Sequence, residues 1–269
     1  LATESSIRNN KKVLLMGLGV DDPKGVFGTT LGIHKKYKNQ VFDLPTAENA
    51  FTGFALGLAI SGFKPIIVHQ RVEFSLLSIE QIFNQISKWH FMSGGKISVP
   101  LVIRLIVGKG WGQGPQHSQS LETIYAHIPG LKVIMPSTPY DAKGMISAAL
   151  KDGNPVICLE HRWLYWQKGQ VPKKDYVVPL DEKKVLRKGH DLTILCLSWM
   201  NVEACQAADY VKIFGISCEI IDVRSLTNLK KQKIFNSIKK TKRCIIADYD
   251  WIEYGASAEL SDYVYSNFY

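Results

Sequence analysis

An α/β chain of two doubly wound domains is predicted by three observations. Short apolar runs alternate with amphipathic stretches along most of the sequence, the mark of repeated βαβ units. A polar stretch rich in Lys, Gly, Pro and Asp, Tyr165 to His190, breaks that alternation. Beyond it a second, shorter βα series begins, so the larger domain is expected over 1–170, a linker over 171–190 and the smaller domain over 191–269.

The elements follow in order. Val13 to Met16 is predicted as a strand, Ala47 to Ile60 as a helix stopping before Gly62, and Pro65 to His69 as a strand. Ile79 to Phe91 reads as a helix ending at Gly94-Gly95, and Leu101 to Ile106 as a strand feeding the glycine-rich loop Gly108 to Gly114. A short helix over Ser120 to His127, a strand over Lys132 to Met135, a helix over Asp141 to Lys151 and a strand over Val156 to Glu160 complete the first domain. In the second, strands are expected over Leu192 to Leu197, Cys218 to Val223 and Arg243 to Ala247. Helices over Asn201 to Phe214 and Lys230 to Lys239 separate them. No repeat or low-complexity segment stands out.

Composition narrows the function classes. The 269 residues are 46% hydrophobic and 21% charged, an ordinary balance for a chain with a proper core. No apolar run approaches the roughly 20 residues of a membrane span, and no secretory leader opens the chain at Leu1, so a cytoplasmic protein is expected. Five scattered cysteines without a C-x-x-C pair read as reduced, small buried residues rather than a disulfide framework, a metal site or an iron–sulfur ligand set. The net charge of +9 is dispersed, the densest run being Lys230 to Arg243. That run reads as a solvated helix face or as a landing site for an acidic partner. Nucleic acid fits less, since no recognition motif accompanies the charge.

Chemistry is expected where open α/β sheets collect ligands, at strand C-termini and glycine-rich loops. The loop Gly108 to Ser118 holds four glycines in seven residues and ends in His117, an imidazole able to exchange a proton near neutral pH or simply to cap a helix. Glu48 opens a helix that is otherwise apolar or small; it is either a first-turn acid favoured by the helix dipole or a functional carboxyl. Phe74 follows a strand, where aromatics usually enter the core. Dinucleotide, P-loop, zincin and nucleophile-elbow signatures are missing from the sequence, as is any Gly-Asp-Gly followed by an Asn.

Taken together, Glu48 to Gly62, Pro65-Ile66, Phe74-Ser75, Ile79-Glu80-Gln81-Ile82, Met92-Ser93-Gly94-Gly95, Gln116-His117-Ser118-Gln119, Pro129-Gly130-Leu131-Lys132-Val133 and Ile221-Asp222-Val223-Arg224-Ser225-Leu226 occur in an order that resembles the beta subunit of two-component, thiamine-diphosphate-dependent 2-oxoacid dehydrogenases of the pyruvate and branched-chain type, in the transketolase superfamily. The resemblance covers nearly the whole chain. It implies a pyrimidine-binding domain followed by a transketolase C-terminal-like domain, cut shorter at Tyr269 than is usual in the family. It implies that Glu48 hydrogen-bonds the aminopyrimidine ring of thiamine diphosphate and promotes its proton-abstracting form. Phe74 would pack on that ring, and His117 would lie near the reacting carbon. Leu101, Ala149, Leu150, Asp152 and Asn154 match a family potassium site. The resemblance further implies an alpha subunit whose Gly-Asp-Gly motif holds magnesium and the diphosphate, a beta–beta contact within an α2β2 heterotetramer, and acyl transfer to a lipoyl acyltransferase.

Three places depart from the family. His69-Gln70-Arg71-Val72-Glu73 is unusually charged, Leu77 replaces a commonly polar residue, and Trp89-His90 stands where tyrosines are frequent. These are expected to border the substrate channel, with Arg71 either reading an acidic substituent or pairing with Glu73 or Glu80. A transketolase-like half-enzyme passing a carbonyl unit to an aldehyde or sugar is therefore a competing expectation. A non-catalytic interaction module is another, against which the joint presence of Glu48, Phe74 and His117 argues.

Overall fold

The computed structural model of the chain describes residues 1–227 and 230–268; Tyr269, the expected last residue of the second domain, lies outside them. The first sheet is built from β1 (Val13–Gly17), β2 (Val41–Asp43), β3 (Lys64–His69), β4 (Val102–Val107), β5 (Lys132–Ile134) and β6 (Val156–His161). Its order is β2-β1-β3-β4-β6-β5, and every pairing is parallel. Alternate residues face opposite layers. Leu14, Met16, Ile67, Ile103, Leu105, Ile157 and Leu159 enter one core cluster, while Val13, Leu15, Ile66, Val68, Val102, Ile106, Val156 and Cys158 enter another. A parallel sheet covered on both faces needs such unbroken apolar runs, which is why these strands were legible.

The second sheet adds β7 (Lys184–Arg187), β8 (Leu192–Cys196), β9 (Cys218–Asp222) and β10 (Cys244–Ala247) in the order β10-β8-β9-β7. β7 runs antiparallel to β9 and lies inside the stretch expected to be a featureless linker. Its half-exposed, charged pattern carries no clean period, so an edge strand was hidden there. The helices Ala2–Asn9 and Ala256–Phe268 and the three-residue β2 were also missed by the sequence reading. The expected helix over Ile79 to Phe91 is helical as read, but widens to a π turn over Gln81–Ile86 before a last α turn, Trp89–Met92.

The two sheets are joined by backbone and charge. Ile134 bridges Ser225, Met135 N–H donates to Arg224 O (2.9 Å), and Leu226 N–H donates to Val133 O (3.0 Å). Buried Asp141 accepts from Arg224 (2.7 Å) and Lys184 (2.8 Å), and Ser137 donates to buried Asp222 (2.5 Å). One apolar cluster runs through from Ile157 and Leu159 to Leu195, Ile221 and Leu260. The lysine-rich helix, Gln232–Thr241, buries Ile234 and Ile238 and carries its charge outward. Lys230, Lys231, Lys233 and Lys240 are engaged by Asp181, Glu259, Glu182 and Glu219 of this same chain, so the face is a set of surface ion pairs rather than a bare basic landing site.

Candidate active site

The chain crosses from one side of β1 to the other between β2 and β3, and the segments leaving β1 and β3 are tied by Gln70 Nε2 donating to Leu18 O (3.2 Å). Such a switch point opens a crevice at the strand C-termini. Gly108 leaves β4 with φ +133°, and a Cβ there would meet the Trp111 ring at 2.6 Å and His161 Nε2 at 2.7 Å, so only glycine lets the loop turn back over the sheet. The loop closes on a 3-10 turn, Pro115–His117.

Phe74 and His117, 43 positions apart in sequence, meet edge to face with ring centroids 5.5 Å apart, both half-buried. The contact is held from beneath by the charged segment after β3. Arg71 Nη1 donates to His117 O (3.2 Å), Trp111 Nε1 donates to the same carbonyl (2.8 Å), and Gln119 N–H donates to Glu73 (2.6 Å). Arg71 also donates to the Gln113 side-chain oxygen. The departures from the family thus form a clamp on the histidine loop. Arg71 makes no ion pair with Glu73 or Glu80, contrary to the simpler expectation, because both its partners lie on that loop. Trp89 packs on the core, and exposed His90 donates from Nδ1 to Ile97 O (2.8 Å). Leu77 is 65% exposed.

Glu48 is the first residue of the helix Glu48–Ile60, directly after β2, with Ala47 at the cap position. It is 7% exposed, and no hydrogen-bond or ion-pair partner reaches its carboxylate among the described residues. Its oxygens are not among the fully buried unpartnered atoms, so the carboxylate keeps some access from outside and is open to a ligand or subunit. The helix packs on the Val72–Ser75 turn that carries Phe74. At its second turn Thr52 meets His69 Nε2 (3.4 Å) and Phe51 lies 4.9 Å from the His69 ring. Burial pushes His69 down to about 3, so it stays neutral and serves as packing.

On the other side of the loop, buried His161 sits among Trp163, Trp199 and Tyr249 with centroids 5.2–6.0 Å away, and burial lowers it to about 4. Glu122, on the helix after the loop, lies close to Asp250 and Asp248 of the second domain. Burial first, then those two charges, raise it to about 8. The expected potassium ligands gather at one edge, but several are already engaged. Lys64 Nζ donates to Leu150 O (3.1 Å), Lys132 binds the Asp152 carboxylate (2.5 Å), Asn154 donates to Asp152 (2.8 Å) and Leu101 O accepts from Val156 N–H (2.9 Å). Sequence reasoning missed Trp111, Gln113 and Glu73 as loop supports; the Gln113 and Glu73 contacts span 42 and 46 residues, a spacing that gives no signal.

Residues 1–167 match the transketolase pyrimidine-binding domain, and residues 181–269 match the transketolase C-terminal domain. Over 236 residues the chain is 40% identical to the beta subunit of acetoin:2,6-dichlorophenolindophenol oxidoreductase of Cupriavidus necator, spanning 86% of this chain and 70% of that one. Over 269 residues it is 38% identical to the pyruvate dehydrogenase E1 component beta subunit of Gracilaria tenuistipitata var. liui, spanning 100% and 83%. The chain belongs to this E1 beta-subunit family, within the transketolase superfamily. Some matching family members are named as chloroplastic or mitochondrial. Among solved structures, a split-gene transketolase described as an inactive beta4 tetramer superposes with a TM-score of 0.83 at 19% identity, covering 100% of this chain and 82% of that one, which shows the fold alone. The family is one of thiamine-diphosphate-dependent enzymes of several subunits, and the unpaired Glu48 carboxyl and the Phe74 ring are of the right chemistry to receive a heteroaromatic ring.

Proposed function

We propose that this chain is the pyrimidine-side half of a 2-oxoacid dehydrogenase site, completed by an alpha subunit. The observation that carries the reading is Glu48: a largely buried glutamate whose carboxylate stays accessible and unpartnered among the described residues, at the end of the sheet where Phe74 and His117 meet. Thiamine diphosphate, when bound, supplies the electron sink for decarboxylating a 2-oxo acid. Glu48 would hold a proton against the aminopyrimidine ring, and Phe74 would cover a face of it. His117, its backbone carbonyl clamped by Arg71 and Trp111, would orient the substrate and exchange a proton during acyl transfer to a lipoyl acceptor. Magnesium and the diphosphate would be held by the partner's Gly-Asp-Gly motif, which this sequence lacks. The assembly would be an α2β2 heterotetramer with a beta–beta contact and a lipoyl acyltransferase as its downstream partner. The five free cysteines suit a reducing compartment, and the cytoplasm is the one we propose.

The test is reconstitution with an alpha-type partner and a panel of 2-oxo acids read with an artificial electron acceptor. The complex should turn over, the isolated chain should not, and Glu48→Gln should cut turnover about 10²- to 10⁴-fold without changing subunit association. Strong turnover by the isolated chain would refute the half-site. Transketolase-like transfer to an aldehyde or sugar is the second reading, favoured by the uncompensated positive charge beside the crevice.

A potassium ion at Leu101, Ala149, Leu150, Asp152 and Asn154 would have to displace Lys64 from Leu150 O and share Asp152 with Lys132. Raising KCl against equal NaCl should stabilise the chain by about 1.4 kcal/mol at ten times the dissociation constant. Lys64→Met should enlarge that response. Identical melting in both salts would remove potassium from the proposal.

A further inference from the structure

Two guanidinium groups converge beside the crevice without a carboxylate bound to either. Arg71, 8% exposed, leaves β3; Arg162 follows the last residue of β6. Their guanidinium carbons lie over the same two rings, at 5.7 and 4.7 Å from the Phe27 centroid and at 5.7 and 5.3 Å from the Trp111 centroid. Arg71 spends its hydrogen bonds on His117 O and Gln113, both neutral. Arg162 makes no hydrogen bond or ion pair among the described residues and lines a cavity of about 550 Å³ with Phe27, Gln70, Tyr165 and Trp166. Glu73 attracts Arg71 across space but is engaged by Gln119 N–H. Asp22, also on the cavity wall, accepts from Lys24 N–H.

Elsewhere in the chain a buried arginine is matched to a carboxylate, as Arg104 is to Glu160. Two like charges sharing a half-buried aromatic platform repel each other, and ring contacts offset only part of that cost. An oxyanion between them would relieve it, because a guanidinium fork is shaped for carboxylate or phosphate oxygens.

We propose that Arg71 and Arg162, on the Phe27–Trp111 platform, form a specificity site for a carboxylate or phosphate group that the donor or acceptor substrate carries away from its reacting carbonyl. Arg162 is the free donor. Arg71 couples the site to the histidine loop through His117 O. The inference rests on the crevice being the active site proposed above, and names the substrate class it selects.

The experiment uses the reconstituted complex, wild type and Arg162→Met, with Arg162→Lys as the charge-keeping variant. KM is measured for pyruvate and for 2-oxoglutarate as donors, and for glyceraldehyde and glyceraldehyde 3-phosphate as acceptors; inorganic phosphate is the competitor. Arg162→Met should raise KM for whichever substrate with the extra anionic group the enzyme uses by about tenfold or more, and move its uncharged counterpart less than about twofold. Inhibition by phosphate should weaken in parallel, and Arg162→Lys should recover part of both. The donor and acceptor arms tell carboxylate from phosphate. Equal KM changes for charged and uncharged substrates would overturn the proposal, as would phosphate inhibition that the variant leaves unchanged. A wild-type complex that turns over nothing defeats the proposed function instead. Phosphate binding, followed by tryptophan fluorescence in wild type and Arg162→Met, then still decides the arginine site.

Discussion

Arg104 and Arg71 are both buried arginines of the first domain, and they are treated in opposite ways. Arg104, mid-strand in β4, donates from Nε and Nη2 to both oxygens of Glu160 on β6 (2.5 and 2.7 Å), and Tyr165 adds a third bond to that carboxylate (3.1 Å). Burial alone would lower its proton affinity, but the Glu160 charge and hydrogen bonds outweigh that and hold it above its usual value. Arg71, just past the C-terminal end of β3, is bound to neutral groups of a loop and faces a second cation. The difference teaches where charge is closed upon itself and where it is left open. Inside the sheet it is neutralised within the fold; at the strand ends Arg71, Arg162 and Glu48 are each without an ion-pair partner among the described residues.

The comparison is broken most directly by Arg104→Met. Removing one partner leaves Glu160 buried and unpaired, so about 3–5 kcal/mol of stability should be lost in denaturant titration, with turnover per folded molecule unchanged. Arg71→Met should do the reverse, costing roughly 1 kcal/mol while lowering kcat through the released histidine loop. If both variants lose stability equally and keep kcat, the distinction fails.

A smaller effect sharpens it through Glu122, a third kind of charge that is buried without a cation. Its carboxyl is raised by burial and by Asp250 and Asp248 to about 8, so its contribution to stability is fully present below about pH 4.5 and is lost as pH rises through 8. Lys183, lowered by burial to about 7, works in the opposite sense, gaining stability as pH rises from 7 towards its ordinary value. Glu122→Gln isolates the first term: its melting temperature should exceed wild type at pH 9 and come close to it at pH 5, a swing of roughly 4 kcal/mol. Equal pH profiles would remove Glu122 from the contact between the domains.

Legibility from sequence followed packing. β1, β3, β4 and β6 are buried on both faces and were readable as apolar runs. β2 has only Val41 buried, β7 is half exposed, and the Ala256–Phe268 helix buries a thin stripe of Ala256, Leu260 and Val264, so local pattern carried little signal. Glu48, Phe74 and His117 could be named only through resemblance, since each alone has a bland explanation. The Phe74–His117 contact and the Arg71 and Glu73 bonds of the clamp arise from pairs more than 40 residues apart. No local window contains them.

The clamp has a consequence for how this enzyme could diverge. Arg71 touches both the proposed anion site and the carbonyl of His117, so a substitution that retunes substrate preference there also shifts the histidine. Selectivity and rate are then inherited together at position 71, whereas Arg162 makes no hydrogen bond to the loop and touches it only through the Trp111 ring. A duplicated copy acquiring a new substrate would be expected to change Arg162 first, and to change Arg71 only in company with Gln113.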